Sequence, residues 1–212
     1  MRTGSFPSLH HSITPSLHHS ITPSLHYSIT PFPLPSPPSL PRRKHFGQNA
    51  PVNFRDKMLA WETLPAWRAA MRASGRRLVV TNGCFDLLHL GHVTYLETAR
   101  QQGDALLVGV NGDEAVCQLK GPDRPVNTEH DRAAVLAALE SVSGVCIFAE
   151  ATATRFLAAA RPDVYVKGGD YTLDTLNQEE RRTVDQAGGK IVIIPFVPGK
   201  STTALLKKIS RL

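Results

Sequence analysis

Residues 77–92 read RLVVTNGCFDLLHLGH. The stretch opens on Arg77–Thr81, a β-branched, apolar run of strand length. Gly83 then permits a tight strand exit, and a helix is expected from His92 to Gln102. The same alternation continues to the end of the chain. Ala105–Val110, Val145–Phe148, Asp163–Val166 and Lys190–Phe196 read as further strands. Helices are expected over Glu129–Glu140, Ala153–Ala160, Leu176–Ala187 and Thr202–Ile209. Ahead of the first strand, Thr63–Ser74 places Leu64, Trp67 and Met71 on one helical face, with Pro65 in the first turn and Gly75 closing it. Strands that are apolar throughout and alternate with helices indicate a parallel sheet covered on both faces.

The expected fold class is therefore α/β, a Rossmann-like three-layer α/β/α domain with a parallel sheet of about five strands. Such sheets bind ligands outside the carboxyl ends of their strands. The domain is expected over 56–212, preceded by a tail over 1–55. The tail carries PSLHHSIT from Pro7, the same unit from Pro15, and PSLHYSIT from Pro23. Ten of the sixteen prolines precede residue 56, so no regular helix or sheet is expected there. Met58, just before the first helical segment, is an alternative start.

Charge excludes one class of partner. The net charge is +6, but residues 1–55 contain five basic residues and no acid, which leaves the domain near neutral. Bulk charge gives no case for nucleic-acid binding. Cys84, Cys117 and Cys146 form no CxxC pair and suit a reducing compartment. No run approaches the roughly 18 apolar residues of a bilayer span, and Ser, His and Pro interrupt the N-terminus too often for a signal peptide. The expectation is a cytoplasmic protein with no membrane partner.

The chemistry lies at the strand ends. His89 and His92 flank Gly91 where a helix begins, and a helix N-terminus favours phosphate. Two imidazoles there can donate hydrogen bonds to phosphate oxygens as charge builds in a transfer reaction. Gly91 lets main chain approach a ligand closely; the plainer alternative is that one histidine caps the helix and the other packs. Lys120 reads as a loop ammonium beside Gly121, free to neutralise phosphate. Arg124 before Pro125 is either a fork for a sugar phosphate or half of a structural ion pair. Arg132 is a weaker candidate, equally explained as an exposed helix residue. Lys167-Gly168-Gly169-Asp170 follows a buried strand, and its two glycines suggest close approach of a base or ribose. Ser201 and Thr202 begin a helix and serve as caps or phosphate contacts.

The run GCFDLLHLGH closely resembles the signature of the HxGH nucleotidylyltransferase superfamily. Within it, the sequence is most similar to the adenylyltransferase domain of the bifunctional heptose-7-phosphate kinase/heptose-1-phosphate adenylyltransferases, from about Leu59 to Leu212. Leu119-Lys120-Gly121, Arg124-Pro125-Val126-Asn127, Val166–Tyr171 and Ser201-Thr202-Thr203 carry that similarity. The kinase half is absent, so a stand-alone transferase is expected.

The resemblance implies AMP transfer from ATP, with Mg²⁺, to D-glycero-β-D-manno-heptose 1-phosphate, giving ADP-heptose and pyrophosphate. It implies catalytic roles for His89, His92 and Lys120. It places Asn82, Gly83, Cys84, Phe85, Asp86, Gly91, Lys167, Gly168, Gly169, Asp170, Ser201, Thr202 and Thr203 at the nucleotide, and Arg124, Asn127 and Arg132 at the sugar phosphate. Family members are often dimers, so a homodimer is a further expectation.

Rival readings are weaker on the residues. Gly199-Lys200-Ser201-Thr202 imitates a P-loop, but Ile194 stands where its first glycine belongs. Cys84, Asp86, His89 and His92 can be drawn as a zinc site, yet no second ligand pair stands at familiar spacing, and no protein-bound metal is expected. A cytidylyltransferase for glycerol 3-phosphate or an amino-alcohol phosphate, and a non-catalytic nucleotide-binding protein, are the alternatives carried forward.

Overall fold

The computed structural model describes residues 53–169, 171–172, 174–195 and 199–211. The repeat tail up to residue 52, Asp170 and Phe196 lie outside the described residues. Asn53 and Phe54, inside the stretch expected as tail, already belong to the fold. The Asn53 side chain caps a short 3-10 turn, Phe54–Lys57, and Phe54 packs against the core. Lys57 Nζ donates to the Leu139 carbonyl at 3.0 Å. A start at Met58 would omit both contacts.

Six parallel strands form one sheet: β1 (Met58–Leu59), β2 (Leu78–Gly83), β3 (Ala105–Asn111), β4 (Gly144–Phe148), β5 (Val164–Gly168) and β6 (Lys190–Ile194). Their order is β1-β4-β3-β2-β5-β6. The sheet has one strand more than the five expected. β1 is a two-residue edge strand paired with Val145 and Cys146, too short to show any apolar period.

The helices are α1 (Leu64–Ala73), α2 (Leu90–Arg100), α3 (Asp113–Lys120), α4 (Glu129–Ala138), α5 (Thr154–Ala160), α6 (Gln178–Gln186) and α7 (Thr202–Ile209). All but α3 lie within two or three residues of the sequence reading. α3 offers only Ala115 and Val116 to the interior, a stripe too short to stand out.

Side chains alternate across the sheet, as strand geometry requires. Val79, Leu106, Val108, Val145, Val164 and Val166 face α2 and α4 in one core layer. Leu78, Val80, Leu107, Cys146 and Tyr165 face α5 and α6 in the other. At the amino ends of the strands, Asp163 accepts from Leu78 N and from the Arg68 guanidinium, at 2.7 and 2.8 Å, joining α1, β2 and β5.

The chain runs outward from β2 through β3 to β4, then returns to lay β5 on the other side of β2. The order therefore reverses between β2 and β5, the position outside the carboxyl ends where open α/β sheets bind ligands. The residues Asn82, Gly83, Lys167 and Gly168 stand at that reversal.

One glycine shows how tightly the core is filled. A Cβ on Gly109 of β3 would lie 2.5 Å from Phe156, whose buried ring stacks on Phe148 at 5.2 Å. Gly109→Ala is expected to destabilise the fold by about 1–3 kcal/mol, the cost of overpacking. Urea unfolding checks this, and an unchanged midpoint contradicts it.

Candidate active site

The loop after β2 is held by charge from below. Arg132 of α4 is 2% exposed, and its guanidinium is held by the protein. It donates to the carbonyls of Cys84, Asn111 (2.8 Å) and Asn127 (3.0 Å), and to the Asp113 carboxylate (2.7 Å). This corrects both readings of Arg132, which is neither an exposed helix residue nor a free fork for a sugar phosphate. Four acceptors engage four of its five N–H donors and hold the cation inside the fold.

Asp86, 4% exposed, organises the neighbouring turn. It pairs with Arg124 and accepts from the backbone of Val126 (2.7 Å) and Asn127 (3.3 Å). The Asn127 side chain donates back to the Asp86 carbonyl at 3.2 Å. Arg124 forms the ion pair of the second alternative through Nε alone, and that pair does not use its two Nη groups. Asp86, Arg124 and Asn127 thus brace the loop against its neighbour.

At the strand reversal, Asn82 Oδ1 accepts from Tyr165 OH (2.7 Å) and from Lys167 Nζ (3.0 Å). Glu180 of α6 shares the single Tyr165 hydroxyl proton with Asn82, at 2.8 Å, and pairs with Lys167 at 3.4 Å. It also accepts from the Ala153 amide at 2.8 Å, ahead of α5. Burial lowers the Lys167 pKa, and the Glu180 charge opposes that shift. Burial, then Glu180, pushes the Tyr165 hydroxyl well up. Gly168 has a packing reason: a Cβ there would meet the Tyr95 ring at 2.9 Å. This packing accounts for the glycine by itself, without a ligand. Gly169 takes a φ of +114° in the turn that follows.

His89 and His92 come together. Their rings stack at 3.9 Å with 20° between planes, and Phe85, at a φ of 47°, sets its ring edge against His92 at 5.4 Å. His89 stands at the N-cap position of α2, yet its side chain makes no capping bond. Nδ1 of each ring is enclosed and has no partner. Burial, and then the neighbouring His89, brings His92 down to about 4. Burial, and then Lys200, lowers His89. With both pKa values lowered from 6.5, the neutral imidazole predominates at pH 7, and each ring then carries one N–H to donate.

Gly91 makes this pairing possible. A Cβ there would lie 3.0 Å from the His89 ring and 3.1 Å from Lys200 Cβ. A Cβ on Gly83 would likewise press the Phe85 ring, at 3.1 Å.

The start of α7 completes this side. Ser201 caps the helix by accepting from Ala204 N at 3.1 Å, and Thr202 Oγ1 donates to the Leu87 carbonyl at 3.2 Å. Thr203 is exposed. Lys120 is the last residue of α3, exposed, and Gly121 follows at a φ of +104°, which corrects its placement in a loop. Its charge reaches Cys84, opposing the burial that raises that thiol's pKa.

Sequence reading missed Glu180 and Lys200. Glu180 gives no sequence signal, because only folding brings α6 under β5. Lys200, whose Cβ stands 3.1 Å from where a Cβ on Gly91 would lie, sits inside the rejected P-loop look-alike. A cavity of about 450 Å³ lies one strand further out, among Trp61, Gly112, Phe148, Glu150 and Arg155, and no motif residue lines it. Among the described residues no helix is long and apolar enough to cross a membrane.

The depressed His92 pKa has a consequence for pH. The unfolded imidazole titrates near 6.5 and the folded one near 4. The stability due to neutral His92 is thus complete above pH 6.5 and is lost as pH falls toward 4. The His92 ring resonances are expected to titrate near 4, and His92→Gln to flatten that loss of stability. A midpoint at or above 6.5 contradicts the burial described.

Residues 80–207 match the Cytidylyltransferase-like family. The chain is similar to the bifunctional protein HldE of Mesorhizobium japonicum, 45% identical over 164 residues, covering 77% of this chain and 33% of that protein. HldE of Methylobacillus flagellatus is 50% identical over 155 residues, covering 73% and 31%. The chain thus spans about a third of the length of the curated relatives it matches. The lipopolysaccharide core biosynthesis protein from Thermoplasma volcanium GSS1, a solved structure, is 27% identical, with a TM-score of 0.49, covering 58% of this chain and 98% of that one. With the family matched from within β2 into α7, more than half of its length, the chain belongs to the cytidylyltransferase-like family.

Proposed function

We propose that this protein transfers AMP from ATP to D-glycero-β-D-manno-heptose 1-phosphate, releasing pyrophosphate and forming ADP-heptose. The observation that carries the reading is the stacked pair His89 and His92 at the N-terminus of α2, beside the strand reversal. Identity of 45–50% to proteins named HldE supports the choice of branch within the family.

A phosphate oxygen of the sugar phosphate attacks the α-phosphorus in line, and the bond to the bridging oxygen of pyrophosphate breaks. Neutral imidazoles suit this step. They donate hydrogen bonds to oxygens that gain charge, and they take no proton from the nucleophile, which is already anionic. No covalent enzyme intermediate is required, so the contribution of the protein is positioning and charge stabilisation. Lys120, free at the end of α3, supplies a mobile cation beside the Cys84 loop. Asn82 and Lys167 present polar groups at the reversal.

Mg²⁺ bound with the nucleotide would neutralise phosphate charge. Among the described residues no group of three acidic, His or Cys side chains converges to hold an ion alone. Asp86 is engaged by Arg124 and backbone amides, so the phosphates themselves are the natural ligands.

Pyrophosphate release is the test, with ATP or CTP crossed against heptose 1-phosphate and glycerol 3-phosphate. Release only with ATP and the heptose is expected. Release with CTP and glycerol phosphate would move the protein to another branch, and silence in every pairing would favour a binding protein. His92→Ala is expected to lower kcat by about 10²–10³-fold, the effect of losing one preorganised donor. A rate within twofold of the parent removes His92 from the mechanism.

A further inference from the structure

The cations within the strand ends already face carboxylates. Arg124 is paired with Asp86, Arg132 with Asp113 and Lys167 with Glu180. Two neutral imidazoles donate hydrogen bonds but neutralise nothing. A triphosphate bound over them still requires positive charge at the end that leaves, where the breaking bond concentrates negative charge on pyrophosphate.

We propose that Lys200 is that cation: a catalytic residue that binds the outer phosphates of the nucleotide over His89 and His92 and stabilises pyrophosphate as it leaves. The proposal rests on the transferase reading above and adds a residue to it.

Three observations carry it. The Lys200 Cβ lies 3.1 Å from where a Cβ on Gly91 would stand, and the His89 ring lies 3.0 Å from that same point. The lysine therefore stands over the middle of the HxGH turn. Its backbone is fixed on both sides. Gly199 makes the preceding turn at a φ of +72°, and Ser201 and Thr202 tie the next two residues to α7 and to the Leu87 carbonyl. Its amine is uncommitted, since Lys200 is exposed and forms no ion pair among the described residues.

The charge of Lys200 also reaches the site, because it contributes to the lowered pKa of His89. Lys120 stands by Cys84 and Lys200 by His89, so the two uncommitted lysines flank the HxGH loop. Gly91 then has a second role beyond the histidine pair. Any larger residue there would push Lys200 off the phosphate position.

The test uses the full chain with Lys200→Met, Lys200→Arg and Lys208→Met, the last an exposed lysine in the final turn of α7. Calorimetric binding of inorganic tripolyphosphate separates this proposal from the identity of the reaction. Lys200→Met is expected to weaken that binding by about tenfold or more, the scale of one charge-assisted contact. Lys200→Arg should retain most of it and Lys208→Met all of it. With an active pairing in hand, kcat/KM for ATP should fall in the same order. The His89 ring should titrate at higher pH in Lys200→Met without any ligand.

Parent-like binding by Lys200→Met, an equal loss in Lys208→Met, or no binding by the parent would each overturn the assignment. A parent that binds tripolyphosphate through Lys200 but releases no pyrophosphate in any pairing would leave Lys200 in place and remove the transferase reading instead.

Discussion

The buried Arg132 guanidinium is the contact on which the upper end of the sheet depends. Four segments approach it: the Cys84 loop after β2, the end of β3 at Asn111, the start of α3 at Asp113, and Asn127 ahead of α4. A guanidinium removed from water is stable only when its donors are satisfied, and each of these segments supplies an acceptor. The same contacts fix the loop that presents Phe85, His89 and His92. Asp86 works in parallel from inside that loop, facing Arg124 and two backbone amides. The histidines therefore stand on a rigid base, as preorganised donors require.

Above that base the electrostatics are divided. The histidines are half-buried and neutral, and the internal cations Arg124, Arg132 and Lys167 each face a carboxylate. Lys120 and Lys200 stand apart from this scheme, on exposed backbone beside the HxGH loop. Fixed dipoles below and mobile ammonium groups above form an arrangement suited to gripping a polyanion and releasing it in pieces. It needs no group of unusual basicity, because the proposed nucleophile is anionic before it binds.

Much of this was legible in the sequence, and what was hidden has physical causes. Five strands and six helices were readable because fully buried strands are continuous apolar runs and the helices carry apolar stripes. β1 was hidden because two residues carry no period, and α3 because only Ala115 and Val116 turn inward. At the site, HxGH was legible because its spacing sits in a local strand–loop–helix context. Arg132 was misread for the opposite reason. Arginine is normally a surface residue, and only tertiary contacts with Cys84, Asn111 and Asp113 make it a buried one. Gly168 also has a packing reason that lies 73 residues earlier, in the Tyr95 ring, where no local pattern shows it. Glu180 acts across the α6–β5 packing, which no local pattern encodes.

The central claim is that the stacked histidines mark the phosphate site at the strand reversal. A crystal structure with the α,β-methylene analogue of ATP and Mg²⁺ tests it most directly. The analogue is expected at the strand reversal, with α-phosphate oxygens within hydrogen-bond reach of His89 and His92 and the outer phosphates beside Lys200. A triphosphate seated instead in the cavity around Trp61, Gly112 and Arg155, with both imidazoles free of it, would contradict the account.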